Sequence, residues 1–209
     1  MKNQIALTIL MIFSNFLFSQ NGKINIDSVP VNIIGEGIMT ESDLLNFYSF
    51  YASQEGDLEK IKRIIPIYLE EAKIEKINHD IAFAQMILET GYLRYKGIVK
   101  KEQNNFCGLG AINKSNVGHY FTTEANGVRA HIQHLKAYAS EEQLQNKIID
   151  PRYDFVVPKG KAATIDKLTG TWATDKDYSA KIKNILVKMY EIKNSNSYLD
   201  QYAEKQVSL

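Results

Sequence analysis

The sequence has a single cysteine, Cys107, in 209 residues. An intramolecular disulfide is therefore excluded, and stability must come from an apolar core rather than from covalent staples. It also lacks a surplus of charge of either sign. There are 25 Lys and Arg against 24 Asp and Glu, a net charge of +1. That balance forces no basic patch, so nucleic acid is not an expected partner. Past residue 20 there is no apolar run long enough to span a bilayer. No internal repeat, linker or second domain is visible. Lys and Arg do cluster in "RYKGIVKK" (Arg94 to Lys101). The plain reading of that run is a solvated face, and the sharper one is contact with an anionic polymer.

Apolar side chains are plentiful, at 44% of the chain, enough for one domain with a sizeable core. The first twenty residues differ in kind. "MKNQIALTILMIFSNFLFSQ" has Lys2, then an almost unbroken apolar run from Ile5 to Phe18, then Ser19 and Gln20. A short positive start, such a run and small or polar residues after it describe a secretory signal over residues 1–20. The run is short for a membrane anchor of ~20 residues. No cysteine follows it, which excludes acylation of the lipoprotein type. The mature chain is expected to be exported to the periplasm or the medium, monomeric and without stable membrane insertion.

Residues 21–40 are β-branched with Pro and Gly and read as an extended lead-in. Thr40 with Asp43 three residues later forms a capping-box pattern, and apolar residues from Leu44 to Tyr51 follow at helical spacing. A second helix is predicted over Asp57 to Lys76, with Pro66 positioned to kink or divide it. Asn78 would cap a third, apolar almost all round, which places it in the core. Gly91 is its natural stop. A glycine- and asparagine-rich stretch from Gly97 to Gly127 leaves room for a small strand pair. Further helices are predicted in "GVRAHIQHLKAYAS", "TIDKLTGTWATD" and "YSAKIKNILVKMYEIK", and residues 194–209 form a polar tail.

Glu89 closes the third helix. Its neighbours Phe83, Met86, Ile87 and Leu88 are apolar, and desolvation raises a carboxyl pKa. The negative end of the helix dipole acts in the same direction. One turn back stands Gln85 rather than a base. A carboxyl kept protonated near neutral pH is what a general acid requires. The alternatives are a solvated glutamate or a partner of Arg94, Lys96 or Arg129.

The segments "DIAFAQMILETGYLRYKG", "QNNFCGLGA", "GVRAHIQHLKAYAS", "DPRYDFV" and "LTGTWATDKDYSAKI" occur in this order and resemble the bacterial glucosaminidase domain, over about residues 60 to 190. That group includes the endo-β-N-acetylglucosaminidases of glycoside hydrolase family 73. The resemblance implies a mainly α, lysozyme-like helical domain with a small β-lobe, over residues 41–193, and cleavage of peptidoglycan glycan strands. It implies that Glu89 is the catalytic acid. It also implies that Asn104, Asn105 and Phe106 are substrate-binding, the two amides either hydrogen-bonding the sugar's acetamido group or only tying down the loop, with Gly108 and Gly110 permitting close approach of the backbone to substrate. Trp172 and Tyr178 match aromatic positions suited to stacking on sugar rings. Trp172 stands where the family often has Tyr, so a role there that needs a phenol is in doubt.

Most glycosidases use two carboxyls. The β-lobe looks abbreviated, since "INKSNVGHYFTT" holds no acid. Glu124 is the nearest downstream candidate, although it reads equally well as the opening of a helix. A hidden carboxylate, attack by the substrate's own acetamido group, or single-acid transglycosylase chemistry all remain open, as does a silent glycan-binding module. His131 and His134 at i, i+3 lack the further ligands of a metal site and read as structural. No metal and no cofactor is expected.

Overall fold

The structure, a computed structural model, describes residues 23–52 and 57–207. The expected secretory signal lies outside the described residues. In order along the chain come α1 (Glu41–Tyr51), α2 (Leu58–Glu75), α3 (His79–Thr90), β1 (Ala111–Asn113), β2 (Asn116–Val117), α4 (Glu124–Ala139), α5 (Ile165–Leu168) and α6 (Tyr178–Val207). The architecture is mainly helical with a two-stranded antiparallel sheet, as a lysozyme-like helical domain requires. Among the described residues no helix is long and apolar enough to cross a membrane.

Local chemistry sets the helix ends. The Thr40 hydroxyl accepts from the Asp43 N–H while the Asp43 carboxylate accepts from the Thr40 N–H, so the capping box forms with Asp in the Glu position. Asn78 caps α3 by accepting from the N–H groups of Asp80 and Ile81. Gly91 ends it at φ 57°, a left-handed conformation that costs glycine little. Pro66 does not divide α2, which runs through it.

Helix α3 is the hub. Every residue from Ile81 to Ile87 is buried, and the helix packs against α2, α4 and α6. A helix with no polar face can lie only inside a domain. The lead-in is tied to this hub rather than trailing from it. Asn78 N–H donates to the Ile33 carbonyl, and the buried Asp80 carboxylate accepts from the N–H groups of Ile38 and Met39 and from the Tyr190 hydroxyl. One carboxylate thus joins the lead-in, α3 and α6.

One predicted element comes out shorter than expected and one longer, since α6 continues to Val207 through the expected polar tail. The helix expected through "TIDKLTGTWATD" stops at Leu168, because the N–H groups of Thr171, Trp172 and Ala173 all turn back to the Leu168 carbonyl and Gly170 sits at φ 80°. That turn holds Trp172 out from the helical body. The strand pair covers five residues, so the β-lobe is as small as its sequence suggested.

Candidate functional site

A groove runs between the end of α3, the loop and strands of residues 107–119, and the turn carrying Trp172. It has two arms that share Cys107, Gly108, Ala111 and Trp172. The first, of about 590 Å³, contains Glu89, Tyr95 and Lys96. The second, of about 560 Å³, contains His119, His134, Tyr138 and Arg152. Among the described residues lining either arm, Glu89 is the only carboxylate.

Glu89 faces the open groove, so its side chain is exposed, yet protein surrounds the carboxyl on its other sides. Desolvation pushes its pKa above the ordinary glutamate value of 4.5, against the opposing pull of two hydrogen bonds. Both arrive on the same oxygen. The Tyr178 hydroxyl donates to Oε1 at 2.5 Å and the Trp172 indole N–H donates to Oε1 at 3.2 Å. Oε2 is left as the site for a proton. Gly108, held at φ 72°, lies beside it: a Cβ there would come 3.8 Å from Oε2, an ordinary contact. The basic partners considered for Glu89 are engaged elsewhere in two cases. Arg129 grips Glu71 with Nη2 at 2.7 Å, and the Arg94 Nε donates to the Gly91 carbonyl.

Behind Tyr178 lies a chain of buried hydrogen bonds that sequence spacing does not reveal. Gln85 Nε2 donates to the Tyr178 hydroxyl at 2.8 Å, so Gln85 Oε1 must accept, and it does so from His131 Nε2 at 2.9 Å. His131 then carries its proton on Nε2, and Nδ1 accepts from the Tyr68 hydroxyl at 2.8 Å. Burial holds His131 neutral, with its pKa depressed to about 3. The chain Tyr68–His131–Gln85–Tyr178 therefore has one direction and ends with a donor on Glu89.

The sequence candidates separate clearly. Glu89, Trp172 and Tyr178 are brought together. Tyr178 is 4% exposed, so it serves as a hydrogen-bond donor to Glu89 rather than as the stacking surface expected of it. Trp172 is half-buried and packs on His134 and Tyr138 with ring centroids 5.0 Å apart in each case. Asn105 reaches the groove wall, but its amide is spent on the loop, donating to the carbonyls of Leu109 and His119 and accepting from the Leu109 N–H. Asn104 accepts from the Lys60 ammonium and donates to the Phe121 carbonyl. Phe106 is fully buried beside Tyr68, which places it in the core instead of on the groove. Glu124 is placed elsewhere. It opens α4, away from the groove lining, and both its oxygens are held by Arg63 at 2.8 and 3.0 Å.

The loop of Asn104 to Phe106 can lie against α4 only because residue 127 is glycine. A Cβ there would meet the Asn104 carbonyl oxygen at 1.8 Å. Cys107 is buried and its thiol is pushed well above its usual range, so it is a poor nucleophile. His134 is paired with the buried Asp150 at 2.7 Å. No cluster of three His, Cys, Asp or Glu among the described residues could hold a metal ion.

Comparison with known proteins agrees in one direction. The glucosaminidase family model, described as mannosyl-glycoprotein endo-beta-N-acetylglucosaminidase, matches residues 65–191. An uncharacterized protein of Borreliella burgdorferi is 43% identical over 164 residues, covering 78% of this chain and 79% of the relative. No solved structure matches the chain.

Proposed function

The chain belongs to the glucosaminidase family, and from that membership we propose that it is an exported peptidoglycan hydrolase, an endo-β-N-acetylglucosaminidase in which Glu89 is the general acid. The observation that carries the reading is the arrangement around Glu89. A desolvated carboxyl lines a groove, two donors fix one oxygen, and the other oxygen accepts no hydrogen bond among the described residues. The acid delivers its proton from Oε2 to the glycosidic oxygen as the bond to the anomeric carbon breaks. The Glu89 carboxylate left behind is stabilised by the Tyr178 and Trp172 donors, whose hydrogen bonds strengthen as the charge forms. Because no solvent reorganisation is needed at that moment, the fixed donors lower the barrier rather than merely holding the resting acid.

Export follows from the apolar run of residues 5–18, and substrate binding from the groove walls. The indole of Trp172 offers a sugar face a partly exposed aromatic surface. Asn104 and Asn105 act at one remove, by holding the loop that shapes the wall.

A second reading is favoured by the missing partner. Two-carboxylate glycosidases place the second group ~5 Å or ~6.5–9.5 Å from the first, and the described residues of the groove lining offer none. The anomeric carbon is then attacked by a group of the substrate itself. Attack by the 2-acetamido oxygen leads to hydrolysis, and attack by the sugar's own 6-hydroxyl gives an anhydro product without water.

The test compares release of soluble fragments from peptidoglycan by the parent protein and by Glu89→Gln, with mass spectrometry of the new ends. The parent should release fragments ending in reducing N-acetylglucosamine, and Glu89→Gln should be slower by roughly 10²–10⁴-fold. Equal release by the two proteins sinks the assignment of Glu89. Anhydro ends would replace the hydrolase by the transglycosylase.

A further inference from the structure

The second arm of the groove is not explained by proton transfer. Among the described residues it contains no carboxylate, and Arg152 is its only permanently charged residue. Among the described residues the guanidinium makes no ion pair. It lies instead over the Phe155 ring, 4.6 Å from the centroid. Stacking of this kind restricts a long side chain without using its hydrogen-bonding edge. The backbone fixes the base of the same residue, since the Arg152 N–H donates to the buried Asp150 carboxylate at 2.8 Å, and the other oxygen of that carboxylate holds His134. Arg152 is thus an oriented cation with five donors, at the wall of a trough that continues past Trp172 to Glu89.

The first arm carries a second cation, Lys96, from the basic run of residues 94–101. Its neighbours Gly97, Ile98 and Val99 line that arm as well. Residues 95–99 of the run therefore line the groove, while Arg94, Lys100 and Lys101 lie outside its lining. A trough whose arms each hold a cation, and whose one acid sits at the reacting position, is complementary to a polymer that bears anions along its length.

We propose that the second arm is a carboxylate subsite, in which Arg152 binds a carboxylate of the glycan strand and thereby selects acidic strands over neutral ones. This rests on the reading of the groove as a glycan site. The carboxylate has two sources in peptidoglycan, the acid of the sugar's own lactyl ether and the acids of an attached peptide. Planar two-point contact suits either, and arginine suits it better than lysine.

The experiment measures binding by full-length Glu89→Gln protein, in which turnover is blocked. Three ligands of matched length are compared: a neutral N-acetylglucosamine oligomer, a strand stripped of peptide so that the lactyl carboxylates are free, and a strand with peptides intact. The Glu89→Gln protein should bind one or both acidic strands more tightly than the neutral oligomer. Adding Arg152→Ala should weaken the preferred acidic ligand about tenfold, the effect of one charged hydrogen-bonded contact, and change the neutral one by less than about twofold. Arg152→Lys should recover part of the preference and make it more salt-sensitive. Whichever acidic strand loses affinity identifies the source. Equal binding of all three ligands, no binding of any, or equal weakening of neutral and acidic ligands by Arg152→Ala overturns the subsite. Fragment release by the parent judges the enzyme separately, so an active parent without acidic preference keeps the hydrolase and removes this inference.

Discussion

Glu89 and Tyr178 divide one task between them. Burial alone would raise the acid's pKa and leave its anion unsupported, whereas the Tyr178 hydroxyl pulls the pKa back and holds the anion once formed. Tyr178→Phe should therefore shift the alkaline limb of the pH–rate profile upward, because the acid then stays protonated to higher pH. It should also lower kcat by roughly ten- to a hundredfold, because the developing carboxylate loses a donor. A pH–rate series on parent and variant checks both effects, and a fall in kcat with an unmoved limb would make Tyr178 a packing residue only. The raised pKa of Glu89 was legible in the sequence because its setting is local: apolar neighbours in its own helix and a glycine stop. The role of Tyr178 was not, since its partner lies 89 positions away. Phe106 misled for the same reason. A motif places a ring near a site but does not say whether it faces the groove or the core.

At the scale of elements, α2, α4 and α3 each contribute one member of the chain Tyr68–His131–Gln85, which passes to the first residue of α6. The neutral histidine in its middle links packing to pH. The folded-state pKa of His131 is depressed from 6.5 to about 3, so below pH 6.5 the unfolded chain takes up a proton that the folded protein refuses. Stability contributed by this group is complete above 6.5 and declines as pH falls toward 3. Thermal melts between pH 7 and pH 4 should show the parent losing Tm more steeply than His131→Asn. Parallel curves would show that the histidine titrates freely. The ends set by Thr40, Asn78 and Gly91 were readable because each acts within four residues of itself, whereas α6 runs on to Val207 through residues expected to form a polar tail. The Trp172 segment was not. Its apolar spacing suggested a helix, but three N–H groups converging on the Leu168 carbonyl make a turn, and that turn carries the indole to the acid.

The whole molecule is organised around one inaccessible helix whose last turn emerges at a groove. The helical body supplies the acid and its buried hydrogen-bond chain, while the loop and short sheet of residues 107–119 supply the opposite wall. The mainly helical class and the abbreviated sheet were readable from periodicity and from the shortness of the stretch between Gly110 and Thr123. The two-armed shape of the groove was not, because it depends on Trp172 and Arg152 arriving from separate turns. What binds the account together is the protonation state of Glu89 in the resting protein. The most direct test is a ¹³C NMR titration of its side-chain carboxyl, set beside the pH dependence of kcat/KM. The account predicts a midpoint above the ordinary value of 4.5, coincident with the alkaline limb of activity. A midpoint at or below 4.5, or one unrelated to that limb, would contradict it.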